Sequence, residues 1–162
     1  MTVPVTAGGI DPSCYTLDGE LFINSQTMHT PAFSVTNLEE LLTPIPSLRG
    51  SDLIIPGATG RRPYPRRIDE TSYSLPFVIT GVVDIDGTEY GNTDWGVGRE
   101  VNFAFLESVI RPDNGTQAAE LHMPSGATRT ADIFVVGFHL GVHAGPLQLA
   151  TLEIVVPAGR FT

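Results

Sequence analysis

The sequence predicts a mainly β (α+β) fold, an antiparallel β-sandwich or barrel with one flanking α-helix and a long extended loop. Gly and Pro are both abundant, at 17 and 13 of 162 residues, which is typical of short elements joined by turns. Apolar residues alternate with period two in several segments, whereas one segment has helical spacing. The length fits a single domain, 1–162, large enough to bury its own core.

The N-terminal segment, 1–36, is predicted to form a ribbon or arm. Residues 15–17 and 21–23 flank a Gly-containing turn, the pattern of a β-hairpin, and a further extended stretch covers residues 30–35. Asn37 then stands where a helix N-cap belongs, ahead of a short helix at 38–42 that Pro44 ends.

An Arg- and Pro-rich loop is predicted at residues 57–70, where closely spaced Gly and Pro leave no room for a regular element. The loop gathers four of the nine basic residues: Arg61, Arg62, Arg66 and Arg67. Two interpretations stay open. The loop is either solvated surface or an arm that docks on the acidic surface of a neighbouring copy.

The remaining elements follow from periodicity. A strand is predicted at 71–80, with Pro76 indicating an edge position or a bulge. Residues 97–110 have helical spacing, ended by Pro112. Three further strands are expected at 118–123, 131–138 and 147–156, and short Gly-containing loops between them favour antiparallel neighbours.

Charge limits the possible functions. The chain carries 9 Arg and no Lys against 18 acidic residues, a net charge of −9, which speaks against binding to nucleic acid or to a membrane surface. Cys14 is the single cysteine, so no intrachain disulfide or thiolate metal cluster is expected. The first ten residues lack a signal-peptide pattern, and we expect a soluble product that is not exported.

No catalytic or metal-binding motif is found. His139 and His143 would share a face only on a helix, whereas the glycines around them favour a strand running into a turn. Residues 84–89 begin like a calcium loop but lack its later ligands, and a hairpin turn explains them. We therefore expect no enzymatic activity, no cofactor and no bound metal.

A family resemblance is carried by residues 37–84. Its parts are Asn-Leu-Glu-Glu-Leu-Leu at 37–42, Leu-Arg-Gly-Ser-Asp at 48–52, Ile-Pro-Gly-Ala-Thr-Gly-Arg-Arg at 55–62, Arg66-Arg67 and the strand at 73–84. Weaker matches follow at 101–112 and 157–161. Together they resemble the tail-tube, or major tail, proteins of siphoviruses that infect actinobacteria. A related Pro-Gly-x-x-Gly-Arg passage also occurs in distal tail proteins.

The resemblance implies a structural virion protein of a phage tail, made in the host cytoplasm. Copies are expected to form hexameric rings that stack into a tube. Other phage tail proteins are the further expected partners. Genomic DNA would pass through the lumen without specific binding, and an acidic wall suits that passage because it repels phosphate. The segment from Arg61 to Arg67 is where the contact with the next ring is expected, with Arg61, Arg62, Arg66 and Arg67 as its contact residues.

Two alternatives remain. A distal-tail or tail-completion adaptor would form one ring and stop. A small carbohydrate-binding or jelly-roll module would instead expose aromatic side chains over a shallow groove, with Trp95 beside Asn92 and Asp94 as its candidate site.

Replacing the four loop arginines with serine tests the arm interpretation. We expect the variant to fold but to lose stacking between rings, because the cationic contacts to the acidic neighbour are gone. Electron microscopy would report stacking and circular dichroism the fold. Unchanged stacking by a folded variant would mean that the loop is solvated surface.

Overall fold

The computed structural model describes residues 19–42, 70–111 and 115–162, together with the backbone of four two-residue strands elsewhere. The strands in these parts are β1 (Val5–Thr6), β2 (Gly9–Ile10), β3 (Glu20–Ile23), β4 (Gln26–Thr27), β5 (Phe33–Val35), β6 (Leu48–Arg49), β7 (Arg67–Ile68), β8 (Thr71–Thr80), β9 (Thr116–His122), β10 (Thr128–Ala144) and β11 (Leu147–Val156). The helices are α1 (Glu39–Leu42) and α2 (Trp95–Val109).

Seven strands form one antiparallel sheet in the order β4-β3-β9-β10-β11-β8-β5, and β1–β2 and β6–β7 are separate ribbons. The two ends of the large sheet meet. The chain leaving β4 pairs with β5 through a bridge between His29 and Ser34, and the Val35 N–H donates to the Met28 carbonyl at 3.0 Å. The sheet is therefore closed into a barrel, and the predicted mainly β fold with a flanking helix is confirmed.

The core fills the inside of this barrel. Along β8 the side chains at 73, 75, 77 and 79 are buried, as their alternation predicts, and along β11 those at 150, 152, 154 and 156 are buried. The register places Leu75 opposite Leu152 and Tyr73 opposite Ile154, so the apolar positions of the two strands face the same side. Both helices contribute to this core through Leu41 and Leu106, and the residues flanking them add Leu38 and Ile110.

Helix α2 confirms the prediction at 97–110 and is held at its middle and at its C-terminal end. At the middle the fully buried Asn102 donates from Nδ2 to the carbonyls of Thr80 and Val83, each at 2.8 Å. At its end the Asn24 side chain donates to the Val109 carbonyl at 2.8 Å, which satisfies a carbonyl that the helix itself cannot pair. These hydrogen bonds fix the position of α2 relative to the end of β8 and to the turn after β3.

Two glycines set how closely α2 approaches the end of β8. A Cβ atom added at Gly98 would lie 2.3 Å from the Gly81 carbonyl oxygen, and one added at Gly81 would lie 2.1 Å from the Trp95 carbonyl oxygen. Only a residue without a side chain fits at either position, since carbon and oxygen atoms cannot approach this closely.

Helix α1 begins where the sequence predicts. The Glu39 N–H donates to Asn37 Oδ1 at 2.8 Å, so Asn37 caps the helix. Leu41 faces the core, whereas Glu39 and Glu40 are exposed. Residues 43–47, which include Pro44, lie outside the described parts of the chain.

Three predictions near the N-terminal half have mixed outcomes. The strand at 21–23 is present as part of β3, but it pairs with β4 and β9, and its expected partner at 15–17 lies outside the described residues. The segment 57–70 was expected to have no regular element. The structure places the two-residue strand β7 at its end, where Arg67 pairs with Arg49.

Pro76 does not make β8 an edge strand, because β8 lies between β11 and β5. Its carbonyl accepts a hydrogen bond from the Thr36 N–H at 2.9 Å, in continuation of the β5 register. Residues 36 and 76 therefore make one backbone hydrogen bond and not two, because proline has no N–H to donate to the Thr36 carbonyl. The register of β8 with β11 is unbroken from Thr71 to Thr80, so the prediction of an edge position or a bulge is wrong; β5 ends at Val35, next to Pro76.

Strand β10 is longer than predicted. The sequence indicated an end near 138, since Gly141, Gly145 and Pro146 suggested a turn, but the strand continues to Ala144. Irregularities between Val135 and Gly137 and between Leu140 and His143 absorb the extra residues. Glycine in an extended strand thus marks a bulge here and not its end.

Substitutions at two glycines of α2 test the close approach. Gly98→Ala should lower the free energy of unfolding by about 1–3 kcal/mol, because its methyl group would press on the Gly81 carbonyl. Gly96→Ala is the matched control, since a Cβ there meets nothing closer than 4.0 Å. It should stabilise the helix by about 0.5–1 kcal/mol. Urea denaturation measures both, and equal effects would contradict the packing described.

Candidate assembly surface

Strand β10 extends past its neighbour β9, whereas β11 is paired with β8 along its whole length. Strand β9 pairs with β10 only from Thr128 to Phe134, whereas β11 follows β10 to Ala144. Among the described residues, positions 136–144 therefore have a neighbouring strand on one side only. The hairpin turn is fixed to the domain, because the Gly81 N–H donates to the Pro146 carbonyl at 2.7 Å and Arg99 Nη1 donates to the Gly145 carbonyl at 2.5 Å.

Large apolar side chains are exposed on this hairpin. Val142 is 76% exposed, Val136 58% and Leu140 51%, and Phe134 and Leu149 are also exposed. Val97 and Val101 add exposed apolar surface on α2. Single exposed apolar residues are ordinary, but several on one hairpin are typical of a surface that binds another protein.

A groove of about 440 Å³ lies between α2 and the hairpin. Its apolar lining comes from Ile79, Val97, Phe103 and Leu140, and its polar lining from Thr93, Arg99, Glu100 and Gln148. Gln148 Nε2 donates to the Gly141 carbonyl at 2.5 Å, so its amide is engaged within the hairpin. The groove therefore combines apolar contact with polar and charged side chains.

The four histidines do not come together. His139 lies 3.6 Å from Glu153 across the β10–β11 pair, His122 lies 3.4 Å from Glu120 on β9, and His29 lies at the barrel closure. His139 and His143 lie on a strand that runs into a turn, as predicted. Within residues 19–42, 70–111 and 115–162, no group of three or more His, Cys, Asp or Glu is placed to hold a metal ion.

The acidic run at 84–89 forms a turn organised by one carboxylate. Asp84 Oδ1 accepts from the N–H groups of Asp86 and Thr88, each at 2.9 Å, and Oδ2 accepts from the Tyr90 hydroxyl at 3.0 Å. These hydrogen bonds, that from the Thr88 backbone first, hold the pKa of Asp84 below its usual value. The carboxylate serves the turn, in agreement with the hairpin interpretation.

Most of the arginines predicted to contact a neighbouring subunit lie outside the described residues. Arg61, Arg62 and Arg66 are outside the described residues, as is the side chain of Arg67, whose backbone begins β7. Trp95 starts α2 and is half-buried. Phe134 is the one exposed aromatic residue in the described ranges, so no aromatic platform of the kind expected for a carbohydrate site is present there.

The apolar edge of β10 was missed from the sequence, although a signal for it exists. Residues 133–152 form a 20-residue stretch without Asp, Glu, Lys or Arg in a chain of net charge −9. The strand predicted to end near 138 hid this signal, because residues assigned to a turn are not expected to form a sheet edge.

Neither helix is long and apolar enough to cross a membrane, as far as the described residues reach.

Comparison with known proteins gives a structural match only. No protein-family model matches the chain, and no curated protein matches its sequence. Among solved structures, the chain is similar to the SPP1 Dit (gp 19.1) protein, described as a paradigm of the hub adsorption apparatus in phages that infect Gram-positive bacteria. The TM-score is 0.56 at 14% identity.

The match covers 87% of this chain and 50% of the Dit chain, so this chain spans about half the length of Dit. At this identity the comparison establishes a shared fold. It does not by itself carry the function of Dit to this chain.

The role of Tyr90 in the Asp84 turn is testable by titration. The pKa of Asp84 in the folded chain is lowered, so its ionised form stabilises the turn above about pH 4, the ordinary pKa of Asp, and this stabilisation is lost as pH falls through the lowered pKa. Tyr90→Phe should raise the pKa of Asp84 toward the ordinary value, as measured by carboxyl NMR. An unchanged pKa would contradict a contribution from this hydroxyl.

Proposed function

We propose that the chain is a structural subunit of a phage tail, placed at the distal hub, where copies of it assemble into a ring. The observation that carries this proposal is the shared fold with SPP1 Dit over 87% of the chain.

The surface chemistry supports a role in assembly. The described residues offer an apolar hairpin and beside it a groove with apolar and polar lining, and both suit contact with protein. Asp84 and Asn102 spend their side-chain hydrogen bonds on backbone groups of the same domain, where they hold a turn and a helix. We propose accordingly that the protein works by binding other subunits and has no enzymatic activity.

A tail-tube subunit is the second candidate. The segments within 37–84 that resemble major tail proteins favour it, and so does the net charge of −9, which suits a wall past which DNA must slide. The comparison with a hub protein favours the ring-forming adaptor over this candidate. The two differ in how assembly ends: an adaptor ring closes and stops, whereas tube rings stack without limit.

Negative-stain electron microscopy of the purified protein over a concentration series separates the candidates. Closed rings of constant height at every concentration are the expected result for a hub subunit. Hollow tubes that lengthen with concentration would support the tail tube instead. A monomer at all concentrations, checked by light scattering, would contradict self-assembly.

A further inference from the structure

We propose that the groove between α2 and the β10–β11 hairpin binds a cationic side chain, arginine or lysine, that stands next to an apolar side chain on a segment of another protein. The inference rests on the proposed function and deepens it, since it states the chemistry of the partner that the subunit binds.

Three elements build the apolar part of the groove. Ile79 from β8, Phe103 from α2 and Leu140 from β10 line it, and Val97 and Leu140 are each more than half exposed. An apolar side chain of a partner would cover this surface and remove it from water. The groove volume of about 440 Å³ is in the range of sites that hold a ligand.

The free polar groups of the groove are mainly hydrogen-bond acceptors. Gln148 Nε2 donates to the Gly141 carbonyl at 2.5 Å and to the Leu149 carbonyl at 3.2 Å, so both of its amide hydrogens are used within the hairpin. Its Oε1 atom remains to accept. Arg99, the cation of the lining, is held at the hairpin turn by its hydrogen bond to the Gly145 carbonyl.

Glu100 supplies a full negative charge to the same groove. It is exposed, and its carboxylate forms no ion pair or hydrogen bond with the parts of the chain that the structure describes. An arginine side chain suits this arrangement, because its methylene stem packs on apolar surface while its guanidinium reaches a carboxylate. The groove therefore fits a group that brings donors and positive charge.

The charge around the groove favours a cation and identifies the occupant as a different protein. Residues 84–107, from the end of β8 through most of α2, contain six acidic residues against Arg99 alone, a net charge of −5. More than half of the net charge of −9 is thus concentrated beside the groove. A basic segment is attracted to this region, whereas a second copy of the chain brings a net charge of −9 and is repelled.

The test is titration with a synthetic peptide, acetyl-Gly-Leu-Arg-Leu-Arg-Gly-amide, followed by NMR. The methyl signals of Ile79, Val97 and Leu140 should shift together with a single dissociation constant. The same peptide with citrulline in place of arginine keeps the shape without the charge. It should bind about tenfold more weakly, because charge-assisted hydrogen bonds are stronger than neutral ones.

Two pairs of matched variants locate the site. Glu100→Gln should weaken binding of the arginine peptide by about threefold to tenfold, since an exposed ion pair is partly screened by solvent. Glu107→Gln makes the same charge change on α2 outside the groove lining and should alter binding by less than about twofold. Leu140→Ala should also weaken binding, whereas Leu149→Ala, equally exposed but outside the lining, should not.

Equal binding of the citrulline peptide, equal effects of Glu100→Gln and Glu107→Gln, or shifts that map away from the groove would overturn the inference. So would the absence of binding. None of these results bears on whether rings form in electron microscopy. A peptide that binds as expected to a chain that never forms rings would contradict the proposed hub role and leave the chemistry of the groove standing.

Discussion

The docking of α2 onto the end of β8 is the contact on which the rest of the structure depends. It requires glycine at both Gly81 and Gly98, since a side chain at either position would collide with backbone oxygen, and it buries Asn102 against two carbonyls. Those carbonyls belong to Thr80, the last residue of β8, and to Val83 just past the strand. A buried amide that satisfies them fixes both the distance and the rotation of the helix.

From that contact the packing of the barrel end follows. Phe103 stacks on Phe138 with ring centroids 5.7 Å apart, and Phe138 meets Phe77 edge-on at 5.7 Å. The helix thus connects β8 and β10 through aromatic side chains from three elements. The groove beside the hairpin exists because α2 covers Phe138 but leaves Leu140 and Val97 partly exposed.

Local patterns in the sequence predicted most of the fold, and the failures share a cause. Alternation at 71–80, helical spacing at 97–110 and the Asn37 cap each depend on neighbouring residues alone, and each is confirmed. The partners of β3, the closure of the barrel and the length of β10 depend on distant pairing, which periodicity does not encode. Gly141 was misread because glycine serves both turns and bulges, and the cross-strand partner decides between them. The exposed edge could not be predicted before that length was known.

The anchoring of the hairpin turn has a mechanical consequence. Two hydrogen bonds tie the turn, one from the Gly81 backbone to Pro146 and one from Arg99 to Gly145, so the turn is joined to β8 and to α2 at once. A force applied at the tip would pass into the barrel through these ties and not into bending of the two strands. Because the hairpin is held at its tip, a displacement of the turn would be transmitted directly to α2 and to the end of β8.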